Sequence, residues 1–152
     1  MCSILTGCGG SGAKQPTTQT VSGPGFSFDA PAGWKVTAGA SRASASHGGE
    51  LLQVVAFPLL KPYSPALFGK VELELRARMK QLAAQTGGTV SGSSTVTAAG
   101  IRSHSYDVTV KDQVDEYTFV LRGMREYQLL CRRNSSSVDD ACGALITSFR
   151  LL

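Results

Sequence analysis

The pattern of apolar and polar positions divides the chain into two unlike parts. Residues 9–23 (GGSGAKQPTTQTVSG) contain no aromatic residue and no apolar period, whereas alternating apolar and polar positions begin at Phe26. Alternation with a period of two is typical of strands, and apolar spacings of three and four are typical of amphipathic helices. The pattern therefore predicts a flexible linker over residues 9–23 and one folded domain over residues 24–152.

The first part of the domain is predicted to contain short strands and a hairpin. Residues 26–28 alternate before the turn sequence at residues 31–33 (PAG). Residues 43–46 and 50–57 flank a glycine-containing loop at residues 47–49 (HGG), which predicts two antiparallel strands. The second of these strands is apolar at both parities, so we expect it to be covered on both faces of a sheet.

A long amphipathic helix is predicted in the middle of the chain. Ser64 is placed to cap its exposed amides, Pro65 fits its first turn, and Gly87 is placed to end it. Two pairs with i,i+4 spacing are expected to bridge its outer face, namely Glu72–Arg76 and Glu74–Arg78. The apolar stripe of this helix comprises Leu67, Val71, Leu75, Met79 and Leu82.

Three further strands and a closing helix are predicted in the last third of the chain. Residues 106–110, 117–121 and 127–131 alternate, and turns are expected at residues 111–113 and 123–125. Because the turns are short, the strands should form an antiparallel meander. The inner face of the closing helix comprises Cys142, Leu145, Ile146 and Phe149. The element order predicts an α/β (α+β) fold with two main helices packed on an antiparallel sheet.

Two of the four cysteines fall where a disulfide is feasible. Cys131 has the parity of Tyr127 and Leu129 in its strand, and Cys142 lies on the inward face of the last helix. Both thiols should therefore enter the same layer, and a bridge between them would persist outside the reducing cytosol. The alternative is a pair of buried free thiols. A metal site is not expected, since no histidine or second cysteine pair completes four ligands.

Charge and hydropathy narrow the choice of partners. The chain carries a net charge of +4, without a run of five like charges and without a cationic stripe accompanied by stacking aromatic residues. We therefore expect no nucleic-acid partner. The charge either favours an anionic membrane surface or simply keeps the domain soluble. No stretch approaches 18 consecutive apolar residues, so no spanning helix is expected.

The beginning of the chain resembles a bacterial lipoprotein signal. Residues 5–8 (LTGC) resemble a lipobox, in which small residues precede a cysteine whose thiol accepts a diacylglyceryl group. The resemblance implies that residues 1–8 are the remnant of the signal and that Cys8 is lipidated. Only seven residues precede Cys8 and none is basic, whereas such signals normally have a basic region and a longer apolar region. Either the true start lies upstream or the motif is accidental.

Candidate catalytic residues are sparse. His47 is predicted in a hairpin loop and His104 in a strand, and no Gly-x-Ser-x-Gly elbow is present. We therefore expect no catalytic residues, no cofactor and no metal. Trp34 is expected to anchor the core. The apolar connection before the long helix is the best candidate for a lip over a pocket or partner groove, and its residues are Leu59, Leu60, Tyr63 and Phe68.

The domain as a whole resembles PsbP/Mog-type domains, including lipoproteins of the LpqN kind from actinobacteria. The resemblance covers about residues 24–152. It is carried by residues 26–34 (FSFDAPAGW), the long helix, the meander over residues 100–133 and the ending at residues 147–151 (TSFRL). It implies an α/β/α sandwich around a central antiparallel sheet. Members bind photosystem subunits, a small GTPase or envelope components, and they share no catalytic set.

Together these features predict a non-catalytic binding or adaptor module held outside the cytoplasm on the cell membrane by its lipid. Its partner is expected to be a protein or another envelope component. One alternative is a carrier of a lipid or other hydrophobic ligand, which would need a large closed cavity. The other is a hydrolase with an unrecognised site, which would need a histidine beside a carboxylate and a nucleophile in a cleft.

Overall fold

The computed structural model describes residues 17–137 and 140–152, in which two antiparallel sheets and two α-helices enclose the core. The smaller sheet has the strand order β1-β2-β9 and the larger sheet the order β3-β4-β5-β8-β7-β6. The strands are β1 (Thr18–Gly23), β2 (Phe26–Pro31), β3 (Lys35–Ala38), β4 (Arg42–His47), β5 (Glu50–Tyr63), β6 (Thr89–Ala98), β7 (Ile101–Val110), β8 (Gln113–Asn134) and β9 (Arg150–Leu151). The helices are α1 (Phe68–Thr86) and α2 (Asp140–Ser148).

Strand β1 corrects the predicted linker boundary. It pairs along its whole length with β2, from Thr18 opposite Pro31 to Gly23 opposite Phe26. Val21 is its single fully buried side chain, with 1% of its surface exposed. The linker prediction over residues 9–23 is therefore wrong for residues 18–23. The rest of that linker and the predicted signal remnant, residues 1–8 with Cys8, lie outside the described residues.

Strand β8 reverses its direction near Gly123. The Asp115 carboxylate accepts hydrogen bonds of 2.9 and 3.0 Å from Arg132, and the Ser135 amide donates to the Asp112 carbonyl at 2.7 Å. A straight strand rises about 3.3 Å per residue, so residues this far apart in sequence can meet only if the chain folds back. Gly123 lies at the middle with a φ of +58°, a value that favours glycine. The predicted turn at residues 123–125 and the meander are confirmed.

The two faces of the larger sheet carry separate parts of the core. Val120 packs in a cluster with α2 and the smaller sheet, whereas its neighbour Phe119 packs in a cluster with α1. Adjacent residues of a strand point to opposite faces, so α1 covers one face and the other is covered by α2 together with β1, β2 and β9. The fold is thus mixed α+β with antiparallel sheets. The expected α/β/α sandwich fits only roughly, because a three-stranded sheet shares one layer with α2.

The long helix departs from its prediction at its N-terminal end. The residues Pro65–Leu67 form a 3-10 turn, and Ser64 makes no capping hydrogen bond through its side chain. The Leu67 amide instead donates to the Ser64 carbonyl at 2.9 Å. The end at Gly87 is confirmed by its left-handed conformation, with a φ of +72°. The capping role predicted for Ser64 is therefore wrong, since its carbonyl rather than its hydroxyl closes the first turn.

Helix α1 packs over β6 and β7, which leaves β5 partly uncovered on that side. Residues Leu52, Val54 and Ala56 on one face of β5 are buried, but on the other face Leu51 and Val55 are only half-buried. The prediction of a strand covered on both faces therefore holds for one face of β5 and only in part for the other.

Candidate functional site: an apolar groove beside helix α1

A bulge at the end of β5 creates a mostly apolar depression beside helix α1. Pro58 pairs with Arg125 and Tyr63 with Gly123, so five steps along β5 match only two along β8. The surplus residues between Pro58 and Tyr63 cannot continue the ladder and must loop out of it. The bulge forms one wall of a groove whose other wall is the beginning of α1.

The groove has a volume of about 250 Å³ and a mostly apolar lining, and its charged residues are exposed except for Glu126. The residues that line it are Leu59, Lys61, Pro62, Tyr63, Leu67, Lys70, Val71, Glu74, Leu75, Arg78, Leu121 and Glu126. Ligand pockets typically enclose about 300–1,000 Å³. The groove is thus large enough for one or two apolar side chains of a partner and smaller than the usual pocket for a complete ligand.

An ion pair closes one end of the groove. Arg78 on α1 donates a hydrogen bond of 2.8 Å to Glu126 on β8, whose side chain is only 9% exposed. The Arg78 guanidinium also lies 5.6 Å from the centre of the Phe119 ring. The Glu74–Arg78 pair predicted from i,i+4 spacing is therefore wrong, because Arg78 reaches across to the sheet. The Glu72–Arg76 pair is confirmed at 2.7 Å.

The structure divides the predicted lip residues between three places. Leu59 and Tyr63 line the groove, and Leu60 projects from the bulge with its side chain fully exposed. Phe68 does not line the groove. Its ring instead lies between the Arg102 guanidinium, at 4.0 Å, and the His104 imidazole, at 3.8 Å between ring centroids. The prediction that Phe68 forms part of the lip is wrong, because the helix turns its side chain toward β7.

Both histidines are engaged by neighbouring groups. His104 is 4% exposed, and its Nε2 atom lies 3.0 Å from the Phe68 carbonyl oxygen. His47 ends β4, and its ring stacks on half-buried Trp34 with centroids 6.2 Å apart. Trp34 packs against the main core cluster, as expected. The loop and strand positions predicted for the two histidines are confirmed to within one residue.

Replacing His104 with alanine should lower the free energy of unfolding by about 2 kcal/mol, because the change removes a buried ring and leaves the Phe68 carbonyl without its partner. His47→Ala, at an exposed strand end, should change stability by less than about 0.5 kcal/mol. Urea unfolding followed by circular dichroism measures both. Equal effects of the two changes would contradict the structural role of His104.

Near His104, the hydroxyl of Tyr106 donates a hydrogen bond of 3.4 Å to the Glu72 carbonyl on α1. Burial raises the pKa of Tyr106 above its ordinary value, and Glu72 adds to this rise while Arg76 opposes it. Tyr106 thus stays neutral and helps to fix α1 on the sheet. Tyr106 and Glu72 do not line the groove, so this contact supports the helix wall from outside the site.

The predicted disulfide is present. Cys131 on β8 and Cys142 on α2 are bonded, with Cα atoms 5.4 Å apart and both residues 2% exposed. Among residues 17–137 and 140–152, no group of three or more His, Cys, Asp or Glu side chains is arranged to hold a metal ion. No helix in these ranges combines the length and apolar character needed to cross a bilayer.

Sequence reasoning missed the sides of the groove that α1 and β8 form. Val71 and Leu75 were identified only as part of the helical stripe, and Leu121 only as an alternating strand residue. Their presence in one site depends on the register between β5 and β8, which no local pattern contains. Two prolines within residues 58–62 (PLLKP) were the available signal, because proline interrupts the hydrogen bonds of a strand.

This chain resembles known proteins in structure but not in sequence. No protein-family model and no curated protein matches it in sequence. A solved structure from Bacteroides thetaiotaomicron superposes on 84% of this chain with a TM-score of 0.58 and 11% identity. This chain covers only 45% of that protein, less than half of its length.

A second solved structure matches over nearly the whole of both chains. The solution structure of PsbP (CyanoP) from Synechocystis sp. PCC 6803 covers 97% of this chain and 99% of its own, with a TM-score of 0.65. The sequence identity is 15%, so the likeness concerns the fold alone. The chain has a PsbP-like fold.

Proposed function

We propose that this chain is a non-catalytic binding module of the bacterial cell envelope, anchored through lipidated Cys8, whose groove receives an apolar segment of a protein partner. The observation that carries the proposal is the groove itself, with its apolar floor between the β5 bulge and α1. Burial of a few apolar side chains in a preformed groove is a common mode of peptide recognition.

The size of the groove favours a protein segment over a carried lipid. A lipid carrier needs a closed apolar cavity, whereas this groove of about 250 Å³ is also lined by charged, exposed side chains such as Lys70 and Glu74. The partner's backbone would remain at the rim, where Lys61, Lys70 and Glu74 offer polar contacts. A carrier of a small amphiphile is the second candidate, since an apolar floor with lysines at its edge also suits an acyl chain with an acidic headgroup.

Location outside the cytoplasm rests on the N-terminal motif and on the disulfide. A buried disulfide is typical of exported proteins. The lipobox-like residues 5–8 supply an anchor, and the PsbP-like fold together with the opening at residues 26–34 favours kinship with actinobacterial lipoproteins of the LpqN kind. The proposal therefore places the groove next to the membrane surface, within reach of other envelope proteins.

The proposal is tested in intact cells with the full chain. A photo-crosslinking amino acid at Leu59 should give a discrete protein adduct, and the same amino acid at Lys80, which is exposed on α1 and does not line the groove, should not. Cys8→Ser should move the protein from the detergent phase to the aqueous phase in detergent partitioning. A chain that stays unlipidated with its native Cys8 would contradict the anchor. Equal adducts from both positions would contradict the groove, and a lipid adduct from Leu59 alone would favour the carrier.

A further inference from the structure

One end of the larger sheet combines exposed apolar side chains with unpaired cations. We call this end the tip and define it by Phe57, Leu60, Lys61, Arg122, Met124 and Arg125. The two segments that form it, residues 57–63 (FPLLKPY) and 121–125 (LRGMR), contain three cations and no acidic residue. The register joins them, since Phe57 lies opposite Glu126 and Pro58 opposite Arg125.

The apolar side chains of the tip are unusually exposed to solvent. Leu60 is 100% exposed, Met124 is 49% exposed and Phe57 is 41% exposed. Leu60 lies in the β5 bulge and Met124 follows Gly123 at the reversal of β8, so both side chains stand at the end of the sheet rather than on its faces. Large apolar side chains gathered at one exposed place are typical of a contact surface.

The three cations of the tip, Lys61, Arg122 and Arg125, have no salt-bridge partner among the described residues. The nearest carboxylate along the ladder, Glu126, is held by Arg78. Three cations beside two exposed apolar side chains at the end of the sheet, Leu60 and Met124, are complementary to an anionic surface with an apolar interior.

We propose that the tip docks on a bilayer containing anionic phospholipid, with Leu60 and Met124 entering the headgroup region and the cations contacting phosphates. A protein interface of standard size uses about 20–30 residues from each partner, whereas the two segments of the tip contain seven and five residues. Binding to a bilayer does not require a large contact surface, because basic residues and a few apolar side chains together give reversible interfacial binding. This surface goes beyond the proposed function and does not require lipidation.

The test uses the full chain carrying Cys8→Ser, so that only the tip can bind. Sedimentation with vesicles of phosphatidylcholine containing 40% phosphatidylglycerol should show binding that is on the order of a hundredfold stronger than to pure phosphatidylcholine, since each of the three cations contributes about fivefold. Raising the salt concentration to 0.5 M should weaken it, since salt screens exposed charges. In the same background, Arg122→Ala with Arg125→Ala should weaken binding by about 25-fold, at about fivefold per cation. Leu60→Ser should weaken it by about fivefold.

Matched controls separate the tip from net charge and general hydrophobicity. Arg42→Ala with Lys80→Ala removes the same charge elsewhere, and Leu73→Ser changes a leucine that is 67% exposed on α1. These variants should bind as the parent does, and all variants should unfold at the parent's urea midpoint. The proposal is overturned if the parent does not bind anionic vesicles, or if the controls weaken binding as much as the tip variants do. It is also overturned if the tip variants keep vesicle binding and lose only a protein adduct in cells. None of these outcomes bears on lipidation of Cys8, because every variant carries Cys8→Ser.

Discussion

Replacing Val21 with aspartate is expected to lower the free energy of unfolding by about 4 kcal/mol, because the change places an unpaired carboxylate in the core. Val21 is 1% exposed and lies in the cluster with Phe28 and Leu145, where the described residues provide no cation. Urea unfolding followed by circular dichroism measures the loss. The result tests whether residues 18–23 are part of the folded domain or part of a flexible tether.

The matched control is the same substitution at Val36. This valine also lies in a strand, β3, but is 44% exposed, so Val36→Asp should change stability by less than about 1 kcal/mol. A flexible tether over residues 18–23 would make Val21→Asp as harmless as Val36→Asp. That result would restore the linker boundary at residue 23.

The prediction of a linker failed at β1 for a physical reason. Its sequence, TQTVSG, contains only one large apolar residue, because one face of the strand meets solvent and the strand needs a single anchor in the core. The stability of β1 comes from its register with β2 and from side chains such as Gln19, which donates to the carbonyls of Pro31 and Trp34. Such long-range partners leave no periodic signal in a six-residue segment.

Other elements could be predicted because their signals are local. The helix end at Gly87, the alternation along β7 and β8 and the reversal near Gly123 each depend on neighbouring residues. The groove is different. The groove depends on how many residues of β5 lie between the two residues that pair with Arg125 and Gly123 of β8. That number follows from the register of the whole sheet.

Inclusion of β1 in the domain changes the geometry expected of an anchored protein. If Cys8 carries the lipid, nine residues, 9–17, separate it from the beginning of β1 instead of fifteen. Nine residues span at most about 30 Å when fully extended. The domain would therefore remain close to the bilayer, where a weak second contact through the tip acts at high effective concentration. The anchor and the tip together would fix the orientation of the domain on the bilayer. They would thereby determine in which direction the groove opens toward a neighbouring protein.

Removing the disulfide with Cys131→Ser and Cys142→Ser is expected to lower the free energy of unfolding by about 3 kcal/mol, because the bridge restricts the unfolded chain across a short loop. The cysteines are 11 residues apart in sequence, and the bond joins β8 directly to the buried face of α2. The thermal midpoint should fall by on the order of 10 °C. The intact mass of the native protein should be about two daltons below that of the reduced form, as one S–S bond replaces two S–H groups.

Reduced wild-type protein is the matched control for the double substitution. It keeps both sulfur atoms in the core, so the difference between oxidised and reduced wild type isolates the bond from the packing of the side chains. We expect most of the loss to appear on reduction alone, with the hydroxyl groups of the double variant adding a smaller penalty for burial. Two alkylatable thiols in native, non-reduced protein would show that the bond is absent. Since the bond is also the feature within the described residues that is most typical of an oxidising compartment, its absence would remove that support for a location outside the cytoplasm.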